Sequence, residues 1–409
     1  MHPEVIAPTI GRTGRPASAA PEESRRIGML VLTVNGGSSS VKLAAYRSAD
    51  SPDDEESADG ARGGAGPLRA AVEHLPGNPD ALQALRAFLR KLEPSAVTAV
   101  AHRIVHGGTR FVEPVRIDAG VESALHELSE LAPLHNPLAL HWVAAAREAC
   151  GAQVPQIAVF DTAFFARLPR LAAEYALPAS AGAALGVRRY GFHGLAHEQL
   201  WRRWSERHRE RHGRIITLQL GGGCSMAAIE RGRPIDTTMG FSPLEGLVMA
   251  TRSGDVDPAA VAYLSHKLSV SADRVIEMMN HESGLLGVSG LSGDVRVLLA
   301  EPSAPAQFAV DLYCYRARKA LGALLAALGE CEGIVFGGGV GEHLPEIRRR
   351  ILAPLAWAGI ELDAAANEAA RGAEARISSA RSAIEVLVVP VDEEQVLAAA
   401  ALAFARQPR

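Results

Sequence analysis

Arg252 lies in residues 240–258, GFSPLEGLVMATRSGDVDP, a lone guanidinium among small and turn-forming residues where an anion could dock. Three glycine-rich turns elsewhere suit the same ligand chemistry: NGGSSS at 35–40, GGGCS at 221–225 and GGGVGEH at 337–343. Such turns expose backbone N–H groups that can cradle phosphate oxygens without bulky side chains in the way. One of them alone is equally well a plain hairpin tip; three in one chain shift the balance. None fits a P-loop, and none sits as a G-x-G-x-x-G opening a βαβ unit, so those two nucleotide sites lose ground.

Other reactive side chains cluster around this pattern. In AHRIVHGG, residues 101–108, strand alternation puts Arg103 and Val105 on one face and His102, Ile104 and His106 on the other. The two histidines would lie roughly 13 Å apart along a strand, too far to share a zinc ion. A charge inside an apolar strand needs either a site or a carboxylate partner, and both readings of Arg103 stay open. In YGFHGLAH, residues 190–197, Gly191 and Gly194 flank Phe192 and His193. His193 is then either projected from a loop or satisfied in the core. Asp161, in VFDTAF, follows an apolar strand, where it could serve catalysis or cap a helix together with Thr162. Asp392, Glu393 and Glu394 could hold Mg²⁺, although taken alone they read as a solvated face. Two arginines, a histidine, carboxylates and three phosphate-type turns are the parts of a phosphoryl-transfer site. No Ser/His/Asp or Cys/His arrangement has comparable support.

The elements that must position these groups read as α/β. The chain has 409 residues, 48% hydrophobic and 22% charged, enough for two to three domains. Its 42 basic and 46 acidic residues leave a net charge of -4, so no global field draws it to nucleic acid or an anionic membrane. Cys150, Cys224, Cys314 and Cys331 form no CxxC pair and read as reduced thiols in a cytoplasmic protein. No stretch approaches a membrane span. Residues 1–28 read as a disordered leader and 48–66 as an exposed loop. Strand, glycine turn and returning strand occur at 28–46 and again at 214–230, suggesting duplication. At 333–355 the order is strand, glycine turn, helix. Helices are expected over 81–92, 138–149, 258–267, 305–328 and 395–405, with strands over 97–105, 156–160 and 383–389. A domain boundary is expected near Asp161.

The motifs VNGGSSSVK, HRIVHGG, LAPLHNP, VFDTAFF, RRYGFHGLAH, DTTMGFSPLEGLVMATRSGDVDP, SGLLGVSG and FGGGVGE occur in that order. Together they resemble the acetate kinase family of the sugar kinase, Hsp70 and actin superfamily, from about Met29 to about Ala405. The resemblance implies duplicated ribonuclease-H-like, actin-like ATPase domains with an active-site cleft between them. The lobes would be 29–161 plus 393–409, and 162–392. It also implies a homodimer that uses ATP and Mg²⁺, with Mn²⁺ a possible substitute, and joins phosphate directly to a small carboxylate. By motif position, Asp161, His193 and Arg252 would be catalytic, and Asn35 and Glu393 would hold the metal. Arg103 would bind the carboxylate, with Val105, Leu134, Phe192 and Pro243 forming the acyl pocket. The nucleotide would meet Lys42, Gln219, Leu220, Gly221, Gly222, Gly223, Asp294, Val295, Arg296, Gly337, Gly338, Gly339, Val340 and Gly341. An apolar pocket of that kind suits acetate, with propionate the nearest alternative. A nucleotide-binding relative without acyl transfer is the competing class. The chain departs from the family pattern at Gln219, Gly222 and Cys224, where His, Asn and Ala are usual, at Leu195 and Ala196, and at Gly293, His343 and Asp392. Most of these departures fall on the nucleotide side.

Overall fold

The computed structural model describes residues 29–37, 40–48, 68–77, 79–92, 97–210 and 213–406. The leader and most of the 48–66 loop therefore lie outside the described residues, as do Ser38 and Ser39 of the first glycine turn. The first sheet contains β1 (Leu30–Gly36), β2 (Ser40–Arg47), β3 (Leu68–Pro76), β4 (Val97–Ile104), β5 (Val115–Arg116) and β6 (Gln156–Phe160) in the order β3-β2-β1-β4-β6-β5. The second contains β7 (Arg214–Leu220), β8 (Cys224–Glu230), β9 (Arg233–Thr237), β10 (Gly333–Gly337), β11 (Ala375–Arg376) and β12 (Glu385–Val388) in the order β11-β12-β10-β7-β8-β9. Read from opposite edges, the two orders are the same. In each, three parallel strands form the centre, an antiparallel meander continues one edge and a two-residue strand closes the other.

The central strands are nearly continuous apolar runs because both of their faces are covered. Leu30, Leu32 and Val34 of β1 pack with Leu85, Phe88 and Trp142 from the helices Ala81–Leu89 and Asn136–Cys150. The opposite face carries Val31, Ala99 and Ala101 and meets Leu397, Ala398 and Leu402 of Glu393–Ala405, so the last helix returns to the first sheet. The long helix Ala304–Leu328 covers one face of the second sheet, and Gly194–Arg207 covers the other with Leu200 and Trp204.

The duplicated hairpins form as expected, but the four edge strands of the described residues, β3, β5, β9 and β11, are not among the strands expected from the sequence. β3 is mostly exposed, β9 has only five residues, and β5 and β11 have two residues each, so none carries a clear apolar alternation. The third glycine segment is also different. Gly338–His343 is already helical, the backbone breaks at Leu344, and Pro345–Leu352 starts afresh. Pro345 favours that restart, since proline suits a first helical turn and cannot continue an existing one.

Candidate active site

Asn35, Arg103 and Asp161 stand on neighbouring strands of the first sheet, at or just past the C-terminal ends of β1, β4 and β6. Ligands gather at such strand ends in open α/β sheets. Arg103 donates through Nε to both Asp161 oxygens at 3.0 Å and through Nη2 to Oδ2 at 2.6 Å. Its Nη1 donates to Asn35 Oδ1 at 3.0 Å and lies 3.5 Å from Glu393. A guanidinium has five N–H donors, so outer hydrogens of Nη1 and Nη2 remain for another anion. Burial opposes the charge on Arg103, yet the Asp161 and Glu393 carboxylates overcome it and push its pKa up. Burial also pushes the Asp161 carboxyl up, while Arg103 pulls against it. Asp161 is no helix cap. Its carboxylate is committed to Arg103, and Thr162 Oγ1 instead accepts from the Gly107 amide at 3.0 Å.

The acidic run corrects a second expectation. Glu394 is 1% exposed, not solvated. Asn35 Nδ2 donates to Glu393 Oε2 and Glu394 Oε1, both at 2.9 Å, and Lys42 Nζ binds Glu394 Oε2 at 2.6 Å. Lys42 thus sits beside Asn35 and Glu393, the residues expected to hold the metal, rather than with the other residues expected at the nucleotide. Asp392 caps the last helix, accepting from Gln395 N at 3.2 Å, and also binds Arg69. The packing of that helix against β1 and β4 buries Glu394, which local composition could not show.

Across the cleft, His193 has φ 58°, a left-handed conformation uncommon outside glycine, and it opens the helix Gly194–Arg207. The Gly194 amide donates to Asp161 O at 3.0 Å, and a Cβ at Gly194 would lie 2.1 Å from that oxygen. Only glycine lets this loop meet the end of β6. His193 Nδ1 bonds Ser225 Oγ at 2.9 Å. A Cβ built at Gly223 would lie 3.3 Å from His193 Nε2 and 3.5 Å from Arg252 Nη1, so imidazole and guanidinium converge on the glycine turn between β7 and β8. Arg252 makes no ion pair among the described residues. Its Nη1 donates only to Pro243 O at 3.3 Å and, weakly, to Met249 Sδ at 3.8 Å. Burial lowers the pKa of Arg252 and drives that of His193 down to about 3, leaving the imidazole neutral.

Val105 and Phe192 are buried in one cluster, whereas Leu134 is 54% exposed and Pro243 is half-buried. Gly221, Gly222, Asp294, Val295, Arg296, Gly339 and Val340 line one cavity of about 580 Å³, together with Ala250, Tyr313 and His343. Leu220, Gly337, Gly338 and Gly341 are buried beside it and shape the turn. Gln219 Oε1 is buried with no hydrogen-bond partner among the described residues. His135 is a residue the sequence reading passed over, although it lies in LAPLHNP. Burial pushes its pKa down to about 4, and Arg252 and Arg103 add to the effect, which puts it in the same field.

The family model described as the Acetokinase family matches residues 30–399. The chain belongs to the acetokinase family. Among acetokinase relatives, the acetate kinase of Solibacter usitatus (strain Ellin6076) is 45% identical over 311 residues, 74% of this chain and 75% of that protein. The acetate kinase of Rhodopseudomonas palustris (strain ATCC BAA-98 / CGA009) is 41% identical over 389 residues, 90% and 96% of the two chains. The Porphyromonas gingivalis acetate kinase structure superposes with a TM-score of 0.78 at 34% identity, covering 92% of this chain and 100% of that one. A propionate kinase from Francisella tularensis subsp. tularensis SCHU S4 gives 0.79 at 31% identity, with coverage of 92% and 99%. The actin-like ATPase fold expected from the sequence is therefore shared with solved acetokinase structures.

Proposed function

We propose that this protein transfers the γ-phosphoryl group of ATP to acetate, giving acetyl phosphate and ADP, and runs the reverse reaction at the same site. The observation that carries the reading is Arg252, a half-buried guanidinium with no carboxylate partner among the described residues, beside a neutral imidazole at a glycine turn. A desolvated charge left unpaired is costly unless an anion completes it. Acetate is ionised at neutral pH and needs no general base to attack phosphorus. It needs alignment and dispersal of charge, which two arginines and an imidazole donor can supply. In this reading Arg103, oriented by Asp161, receives the carboxylate, and Val105, Leu134, Phe192 and Pro243 bound its methyl group. Arg252 and His193 hold the phosphoryl oxygens in transit. The nucleotide lies along the Gly221–Gly223 turn, Asp294–Arg296 and Gly337–Gly341.

The lobes would comprise 29–161 plus 393–409, and 162–392, closing on this cleft. Among the described residues no group of three or more His, Cys, Asp or Glu side chains is arranged to hold a metal. The oxygen donors of Asn35 and Glu393 nevertheless fit Mg²⁺, which binds through one or two protein oxygens plus water and substrate phosphates. When bound, the ion would neutralise charge on the β- and γ-phosphates. A dimer is supported by the helix Pro258–Leu268, which has no buried residue and leaves Tyr263 60% exposed. Among the described residues no helix is long and apolar enough to cross a membrane.

Purified protein should release ADP when given ATP, Mg²⁺ and acetate, with propionate a poorer acceptor because one methylene changes such a pocket's preference by only about 1–3 kcal/mol. Arg252→Ala should lower kcat by about 10²–10³. An unchanged kcat would remove Arg252 from the reaction, and carboxylate-independent turnover would end the acyl-kinase reading.

A further inference from the structure

Behind His193 runs a linear chain of hydrogen bonds. His193 Nδ1 and His197 Nε2 meet the same hydroxyl, Ser225 Oγ, at 2.9 and 2.8 Å, and His197 Nδ1 meets Thr217 Oγ1 at 2.7 Å. Thr217, His197 and Ser225 are fully buried. We infer that Thr217 and His197 are positioning residues which, through Ser225, set His193 as the tautomer that presents Nε2–H to the phosphoryl group. The inference rests on the reading that His193 meets that group.

The logic is proton accounting. Burial drives the pKa of both histidines down to about 3, so each imidazole carries one N–H at neutral pH. Each hydrogen bond in the chain needs one proton, and Ser225 has one O–H to give. If both histidines donated to Ser225, its own proton would be left without a partner in a dry interior. If neither did, one ring nitrogen would lack a donor. Two orderings remain. In the first, Thr217 O–H donates to His197 Nδ1, His197 Nε2–H to Ser225, and Ser225 O–H to His193 Nδ1, which leaves His193 with Nε2–H facing Gly223 and Arg252. In the second every bond reverses and His193 offers a bare lone pair, while Thr217 turns to Ala227 O at 3.4 Å. That last contact is long for an O–H···O bond. An anionic oxygen beside Arg252 would be repelled by a lone pair and bound by an N–H. The first ordering therefore gives the competent site, with Thr217 as its terminal donor. No proton is gained or lost during the phosphoryl transfer; the chain only fixes where the existing protons sit.

The test combines kinetics with ¹⁵N NMR of histidine-labelled protein, in which protonated and bare ring nitrogens resonate apart. His193→Asn identifies the His193 signals. Wild-type protein should show His193 protonated at Nε2 and bare at Nδ1. Thr217→Val keeps the side-chain shape but removes the donor. It should mix or reverse that pattern and lower kcat about 10- to 100-fold, a loss typical of outer-shell partners, with KM for ATP and acetate unchanged. His197→Phe should behave likewise. His197→Gln, whose amide can donate to Ser225 and accept from Thr217, should retain most activity and guards against a folding artefact. Wild-type protein protonated at Nδ1, or a Thr217→Val enzyme with the wild-type tautomer and kcat, would overturn the inference. If His193→Asn itself leaves kcat intact, the phosphoryl reading of His193 fails, and the relay's role falls with it.

Discussion

At the residue scale, the pair Arg103–Asp161 carries structure and, in the proposed reading, chemistry. Asp161 is 1% exposed and bonded to Arg103 through both oxygens, so the pair holds the guanidinium at a fixed angle while leaving outer N–H groups towards the cleft. Asp161→Asn removes the countercharge but keeps the shape. It should destabilise the fold by about 3–5 kcal/mol, read from urea denaturation, because a buried arginine loses its ion-pair partner. Acetate KM should rise as well, since the guanidinium is no longer clamped. The sequence left two readings of Arg103 open, site or ion pair, and the structure shows the ion pair without removing its capacity for a ligand. His135 was not singled out because a lone histidine before Asn-Pro has no local pattern; its meaning comes from Arg103 and Arg252, which lie far away in sequence.

At the scale of elements, Arg348 shows what a helix terminus demands. It is fully buried and has no carboxylate partner in the ion-pair network of the described residues. Its guanidinium donates to Gly341 O, Glu342 O, Asn367 O, Ala370 O and Asn367 Oδ1, satisfying carbonyls at the ends of the helices Gly338–His343 and Ala364–Ala369. Last-turn carbonyls of a buried helix must find donors. Burial pulls the Arg348 pKa down to about 10, so it is still charged at neutral pH. Arg348→Met should cost at least about 2–3 kcal/mol of stability by orphaning these acceptors. It should also raise KM for ATP more than for acetate, because Gly339 and Val340 on the first helix line the cavity proposed for the nucleotide. Periodicity made 348–350 a basic helical run. Only packing distinguishes Arg348 from Arg349 and Arg350, which pair with Glu346 near the surface. Gly338 belongs to the same element. Its φ is +75°, and an added Cβ would lie 2.6 Å from Leu220 O, so Gly338→Ala should likewise weaken ATP binding before acetate binding.

At the scale of the whole molecule, the fold keeps several imidazoles neutral. Burial pushes His102, His106 and His135 down to about 4, and His193 and His197 down to about 3, from an ordinary value of 6.5. Below pH 6.5 the unfolded chain takes protons that the folded chain refuses until about pH 3–4. The unfolded state then binds more protons, and stability falls as pH falls through that window. Stability from this source is complete above about pH 6.5. Melting temperature should therefore drop steadily between pH 7 and pH 4.5, and the His197→Gln variant should show a shallower slope. Light scattering checks the proposed dimer at the same scale: Tyr263→Asp on the exposed helix should lower the measured mass from that of two chains towards that of one.

Local chemistry in the sequence was enough to specify the paired hairpins and the glycine turns and to single out Arg103, Asp161, His193 and Arg252 as candidates, because turn residues, strand alternation and isolated charges are short-range signals; their roles were implied only by the family resemblance. The tertiary structure decided which of them share a site. It buried Glu394 under the returning C-terminal helix, joined Asn35 to Glu393 across 358 positions of chain, and aligned Thr217, His197 and Ser225 behind His193. Those outcomes depend on how two sheets and their covering helices pack, and desolvation, which gives each group its protonation state, exists only once that packing has formed.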